Sequence, residues 1–291
     1  MATLRDIKRK IDAVKKTSQI TRAMNMVAAA KLRGAQQDME GFHPYATKFR
    51  EVIGRLATGV ESDGTFALLT PREEVKKVEL VLITADRGLC GGFNNNLIVA
   101  AERFIKAKRA EGLEVSLTAA GRKGADYFRR RNYEVRKRLL GLLSKPNYGD
   151  ASAVGMELID LFESGQADEI YVVYSRFAGM AKQLPTLIKL LPIEPAADMV
   201  SALPPGMEYL FEPSHVELLN DLLPSYVYVQ ILEFLYQTAV SEHAARMAAM
   251  DNATSNCKEV VRSLTLTYNK ARQAGITKEL MDIVGGAEAL K

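Results

Sequence analysis

The sequence predicts an α/β fold: a long antiparallel coiled coil of the N- and C-terminal helices, plus a central α/β domain with a mostly parallel sheet. Three observations predict it. From Ser225 to about Val284 there is no proline and a single glycine, Gly275. About sixty helical residues span roughly 90 Å, more than one small domain can bury. The stretch Ala2 to Phe42 likewise lacks proline and holds only Gly34 and Gly41. Between these ends, short apolar runs alternate with segments of helical period, the rhythm of a parallel sheet with helices on its faces. The divisions expected are 1–58 and 214–291 for a coiled-coil shaft, 75–193 for the α/β domain, and 194–213 for a proline-rich linker or foot.

The first helix carries a narrow seam. Leu4, Ile7, Ile11 and Val14 follow the 3–4 spacing of a coiled coil. Polar Thr17, Ser18 and Thr21 then intrude, and the apolar positions resume out of phase at Ile20, Met24, Val27, Ala28 and Leu32. Such a stutter changes the local winding. Pro44 is expected to kink or interrupt the helix, and Gly59 with the Glu-Ser-Asp-Gly run at 61–64 to end it.

In the middle, Val78–Thr84 (VELVLIT) reads as a buried parallel strand. Phe93–Ala110 reads as a helix, Leu113–Ala119 as a strand, Arg122–Arg131 as a helix and Tyr133–Arg138 as a short strand. A helix over Ala151–Ser164 and strands over Glu169–Arg176 and Gln183–Leu191 complete a Rossmann-like domain. Residues 192–213 hold five of the ten prolines and read as linker. The C-terminal helix follows, with a break or kink expected at Pro224. Its small-residue run Ala244–Ala249 allows close approach of a second helix. Each terminal helix lacks another partner for its stripe, so the two are expected to wind around each other in antiparallel fashion.

Composition excludes several classes. An apolar content of 47% and charged content of 25% are ordinary for a soluble protein. No apolar run approaches the roughly 18 residues that span a bilayer, and the N-terminus MATLRDIKRKID lacks the apolar core of a signal peptide. Two cysteines, Cys90 and Cys257, make no disulfide framework, and three dispersed histidines make no metal cluster. No cofactor is expected. Charge is unevenly placed: residues 1–34 hold nine Lys/Arg against Asp6 and Asp12, a net +7 in a chain of net +4. A basic helix of this kind suits nucleic acid, an anionic membrane surface or an acidic protein partner, or is simply a solvated face.

Candidate chemistry is sparse. Thr84–Asn94 (TADRGLCGGFN) follows a strand and precedes a helix, where α/β folds bind phosphates. It is neither G-x-G-x-x-G nor a P-loop, and Gly88, Gly91 and Gly92 serve a tight turn equally well. Cys90 reads as a packed small residue with no histidine nearby in sequence. Arg129–Arg131 with Arg136–Arg138 reads as a solvated helix end rather than an RNA surface. No catalytic residues are assigned.

At the two ends the residues become specific. ITRAMNMVAAAKLR (20–33), DRGLCGGFN (86–94) and LTYNKARQAGITKELMDIVGGAEAL (266–290) resemble, in that order, motifs of the gamma subunit family of rotary ATP synthases. The resemblance covers the whole chain. It implies a non-catalytic rotor inside a ring of alpha and beta subunits, with an α/β body against the epsilon subunit and the membrane c-ring. Ion-driven rotation would then move the beta-subunit catalytic sites through their conformations. On the matching positions, Arg272 and Gln273 imply a polar contact with a beta-subunit loop. Met24 implies a position near acidic beta-subunit loops, and Tyr209, Phe211 and Glu212 imply a foot that meets the c-ring and epsilon. No inserted regulatory segment with paired cysteines is present, as a chloroplast form would have. The expected place is the cytoplasmic face of a bacterial inner membrane, with neither nucleic acid nor a small-molecule substrate as partner. Two other readings stand beside it: a nucleotide-binding α/β enzyme with helical arms, and a nucleic-acid-binding coiled-coil protein.

Overall fold

The computed structural model describes residues 3–58, 66–194 and 215–288. Helix α1 spans Leu4–Thr58 and helix α5 spans His215–Glu288. Between them run β1 (Lys77–Ile83), α2 (Phe93–Ala110), β2 (Glu114–Ala120), α3 (Arg122–Arg130), β3 (Val135–Leu139), α4 (Tyr148–Glu163), β4 (Glu169–Gly179) and β5 (Lys182–Leu191). The chain divides into two compact units. One holds residues 1–29 and 246–291, the other residues 30–245.

The larger unit is built on a five-stranded sheet of order β3-β2-β1-β4-β5. β1 pairs in parallel with β2 and β4, and β2 with β3, while β5 returns antiparallel to β4. The central strand β1 is covered on both faces, which explains its nearly unbroken apolar run. Val78, Leu80 and Leu82 pack with Leu97, Ile98, Ala101 and Ile105 of α2 and with Phe128 of α3. Val81 and Ile83 face the other core, with Val154, Leu158 and Phe162 of α4, Val227, Ile231 and Leu235 of α5, and Ile53 and Leu56 of α1. Gly155 lets α4 approach α5 closely: a Cβ there would lie 2.3 Å from Tyr228 Cδ1.

At two prolines the break that the sequence allowed does not occur: α1 continues through Pro44 and α5 through Pro224. A proline inside a helix leaves the carbonyl four residues earlier without its donor. Here those carbonyls belong to Glu40 and Asn220, both exposed, so water can serve them. Buried residues just beyond each proline, Ala46 after Pro44 and Tyr226 and Val227 after Pro224, hold the helix to its core.

In the smaller unit α1 and α5 pair antiparallel. Thr21 meets Thr254, and Asn25 Nδ2 donates to the carbonyl of Met247 at 2.8 Å, so partner numbers fall as residue numbers rise. Ile7 and Ile11 are buried in the seam. α1 opens on a capping box: Asp6 N donates to Thr3 Oγ1 at 3.3 Å and Thr3 N donates back to Asp6 Oδ2 at 3.1 Å, with Thr3 Oγ1 also donating to Asp6 Oδ2 at 2.7 Å. These bonds to Thr3, with help from Lys10, hold the Asp6 carboxyl below its ordinary range.

Candidate functional site

The features that bear on function lie on the helical pair. All nine Lys/Arg of residues 1–34 are exposed. No ion pair involves any of them among the described residues. The basic stretch therefore turns outward, offset within it by Asp6 and Asp12 alone.

The far end of α5 is the second feature. With Thr21 opposite Thr254 and equal rise along both helices, the start of α1 at Leu4 lies level with about residue 271 of α5. Beyond that point α5 continues to Glu288 with no α1 residue opposite. Its apolar side chains there, Ile276, Leu280, Met281, Ile283 and Val284, are exposed, Ile283 by 70%. An exposed apolar stretch of this length on a helix end needs a partner to cover it.

Arg272 and Gln273 sit where α5 passes the end of α1. Both are exposed, and among the described residues neither side chain has a hydrogen-bond or ion-pair partner. Gln273 contributes only its carbonyl, which accepts from Thr277 Oγ1 at 3.0 Å. Met24 is half-buried on α1 beside Asn25. Asn25 meets Met247, so Met24 lies about 35 Å along the pair from Arg272, at 1.5 Å per residue. The structure thus does not bring these sequence-predicted residues together; they mark two levels of one helical pair. Tyr209, Phe211 and Glu212 lie outside the described residues.

The Gly-rich turn after β1 is occupied with internal bonds. Asp86 accepts the Arg122 N–H on Oδ1 at 2.8 Å and the Gly141 N–H on Oδ2 at 2.9 Å, tying the ends of three strands together. Asn94 Oδ1 accepts the Ala85 N–H at 2.9 Å, and its Nδ2 donates to Cys90 Sγ at 3.1 Å. Cys90 is buried. Gly121 holds φ +114°, and a Cβ there would stand 1.9 Å from the Thr84 carbonyl oxygen. This explains the turn as packing, with Asp86 and Asn94 engaged by neighbouring backbone and by Cys90.

Sequence reasoning missed a charged network on the α4 side of the sheet. Glu79 is 1% exposed. It accepts from Ser116 Oγ, Thr118 Oγ1 and Arg136 Nε, and Arg136 Nη1 donates onward to Glu157 at 2.7 Å. Lys137 also reaches Glu157. Arg136 therefore belongs to a partly buried ion-pair network anchored on buried Glu79, and not to a solvated helix end. Burial would weaken both ions of the pair, but the hydrogen bonds to Glu157 and Glu79 raise the Arg136 pKa. Those from Lys137 and Arg136 lower that of Glu157 against the same desolvation. The available signal was a lone glutamate inside an apolar strand, which must find a cation.

Among the described residues no helix is long and apolar enough to cross a membrane, and no cluster of side chains is suited to hold a metal.

Comparison with known proteins fits these features. The family model described as ATP synthase matches residues 3–290. The ATP synthase gamma chain of Syntrophobacter fumaroxidans is 75% identical over 291 residues, covering the whole of both chains. That of Desulfosudis oleivorans is 50% identical, again over the whole of both. Among solved structures, a chain of the Euglena gracilis mitochondrial ATP synthase superposes with a TM-score of 0.69 at 22% identity, covering 99% of this chain and 94% of that one. One from the central stalk and c-ring of the Tetrahymena thermophila mitochondrial enzyme gives 0.61 at 22% identity, covering 80% and 99%. At that identity they speak for the fold. The family match and the near relatives go further, and the chain belongs to the gamma chain family of ATP synthase, a non-catalytic subunit of a complex whose catalysis occurs in the beta subunits.

Proposed function

We propose that this chain couples rotation of a membrane c-ring to the beta-subunit catalytic sites, with α1 and α5 acting as the shaft inside a ring of alpha and beta subunits. The observation that carries the reading is the bare end of α5. Past the level of Leu4 it presents Ile276, Leu280, Met281, Ile283 and Val284 to solvent, and an apolar collar in a surrounding ring would cover them while still allowing rotation. Apolar contact is non-directional, so it resists turning less than a set of hydrogen bonds would. The exposed cations of residues 1–34 suit acidic loops of the beta subunits.

In this reading residues 1–58 and 214–291 form the shaft, 75–193 the α/β domain and 194–213 the foot. Arg272, Gln273 and Met24 meet the beta subunits, and Tyr209, Phe211 and Glu212 meet the c-ring and epsilon. The complex works at the cytoplasmic face of a bacterial plasma membrane. ATP is made on the beta subunits, and the chain itself supplies geometry rather than chemistry.

Co-purification tests the partner set. Membranes of cells expressing the tagged chain should yield alpha, beta, epsilon and c subunits in one complex. Recovery of the chain without the alpha and beta subunits contradicts the reading.

A further inference from the structure

Strand β4 outruns its neighbour. The parallel ladder ends with Leu82 opposite Val173, and β1 stops at Ile83, whereas β4 continues to Gly179. Buried peptide groups on that side of β4 need another partner. Helix α5 supplies it with side chains. Thr238 Oγ1 accepts the Ser175 N–H at 3.3 Å, Ser241 Oγ donates to the Ser175 carbonyl at 3.2 Å, and Gln237 Oε1 accepts the Phe177 N–H at 2.9 Å. Thr238, Ser241 and Ser175 are buried, so water does not compete.

The arrangement is specific about position. Thr238 and Ser241 are three residues apart, on one face of the helix, and hold the donor and the acceptor of the same residue. Apolar neighbours such as Phe234, stacked on Tyr174 at 4.5 Å, tolerate small displacements. The three hydrogen bonds do not, because a slip of one residue moves the helix about 1.5 Å and turns it about 100°. Gln237 extends the same hold to the next inward-facing N–H of the strand.

We propose that Gln237, Thr238 and Ser241 are positioning residues that fix the axial and rotational setting of α5 against β4. Load applied to the sheet then passes into α5 through the Ser175–Phe177 backbone without slip. The inference rests on the rotor reading above.

The test uses the whole ATP synthase complex in liposomes, carrying the parent chain, the Thr238→Val/Ser241→Ala double variant, or Thr238→Ser. ATP hydrolysis is measured with the ion gradient dissipated, and ATP-driven pumping against a rising gradient. Amide hydrogen exchange at Ser175 and Phe177 is followed in the same complexes. The double variant should hydrolyse ATP within about twofold of the parent, while pumping under load falls roughly threefold or more, the scale of one lost hydrogen bond. Exchange at Ser175 should quicken, and Thr238→Ser, which keeps the hydroxyl, should restore both. Pumping under load equal to the parent overturns the inference alone, as does unchanged exchange at Ser175. Failure of the parent complex to pump overturns the rotor reading and this inference with it. If the double variant does not assemble, Thr238→Val is compared with Thr238→Ser under load, and equal pumping by the two overturns the inference.

Discussion

The hydroxyl oxygens of Thr21 on α1 and Thr254 on α5 lie 2.7 Å apart, buried in the seam of the helical pair. Each hydroxyl has one proton. Either Thr21 donates to Thr254, which donates to the Met250 carbonyl at 2.8 Å, or Thr254 donates to Thr21, which donates to the Ser18 carbonyl at 3.1 Å. Both arrangements satisfy the pair only while the two helices keep this register. A polar layer in an apolar seam is a known means of specifying register at some cost in stability.

Thr21→Val or Thr254→Val alone should cost about 1 kcal/mol. The double variant should be less destabilised than the sum of the singles, because no hydroxyl is then left without its cross-helix partner. A double-mutant cycle by urea unfolding checks this. Additive effects would mean that the two hydroxyls do not depend on each other.

Glu79→Ala should be the more damaging change. It leaves the half-buried Arg136 with Glu157 as its ion-pair partner and Thr118 Oγ1 as an acceptor at 2.6 Å, and it removes the acceptor of the Ser116 and Thr118 hydroxyl protons. Breaking a fully buried pair costs about 3–5 kcal/mol; here Arg136 keeps some water and Glu157, so a cost of about 2–3 kcal/mol is expected. Glu79→Gln keeps the acceptor oxygen and should cost less. A urea midpoint for Glu79→Ala equal to the parent would refute the role given to this network.

Tyr171 provides a test at high pH. Burial and then its hydrogen bond to Glu169 push its phenol up to about 12 from 10.0. The folded pKa is raised, so the contribution is fully present below pH 10 and is lost as pH rises through the folded value. The protein should therefore lose stability between pH 10 and about 12, and Tyr171→Phe should lose less over that interval. Burial also raises Tyr127, Tyr174, Tyr228 and Tyr236, so spectrophotometric titration should show several tyrosines ionising late, with the late amplitude smaller by one phenol in the variant. Indistinguishable alkaline unfolding of the two proteins contradicts the assignment.

Much of the fold was legible because its signals are local. The proline-free ends, the apolar run 78–84 and the polar interruption at Thr17–Thr21 each report their own element. The interruption proves to be where the helices exchange hydrogen bonds across the seam. Pro44 and Pro224 left break and kink open because their cost depends on whether the freed carbonyl faces water, which only the fold decides. The hold of Thr238 and Ser241 on Ser175 was invisible, since a polar residue in an apolar helix carries no label for a partner some sixty positions away. Glu79 passed unread inside its apolar run, because its cation comes from another strand. Arg272 and Gln273 were marked by resemblance alone; nothing in their spacing distinguishes them from any exposed pair.

For that pair, Arg272→Ala/Gln273→Ala should leave the complex assembled and slow its multi-site ATP turnover by about tenfold. A charge-assisted hydrogen bond contributes about 1.5–3 kcal/mol, enough to favour one rotor angle and small enough to break each turn. Met24→Lys should reduce ions pumped per ATP more than it reduces folding, since a new ion pair with an acidic loop adds about 0.2–1 kcal/mol at one angle. Turnover and pumping equal to the parent in both variants would remove these residues from the coupling path.

Rotation itself is the most direct measurement. The alpha–beta–gamma complex is fixed to a surface through its beta subunits, and a probe is attached at Met180→Cys, an exposed position on the β4–β5 hairpin, with Cys257 replaced by Ala. On addition of ATP the probe should turn stepwise in one direction, at a rate that follows hydrolysis. Steady ATP hydrolysis with the probe stationary would contradict the account.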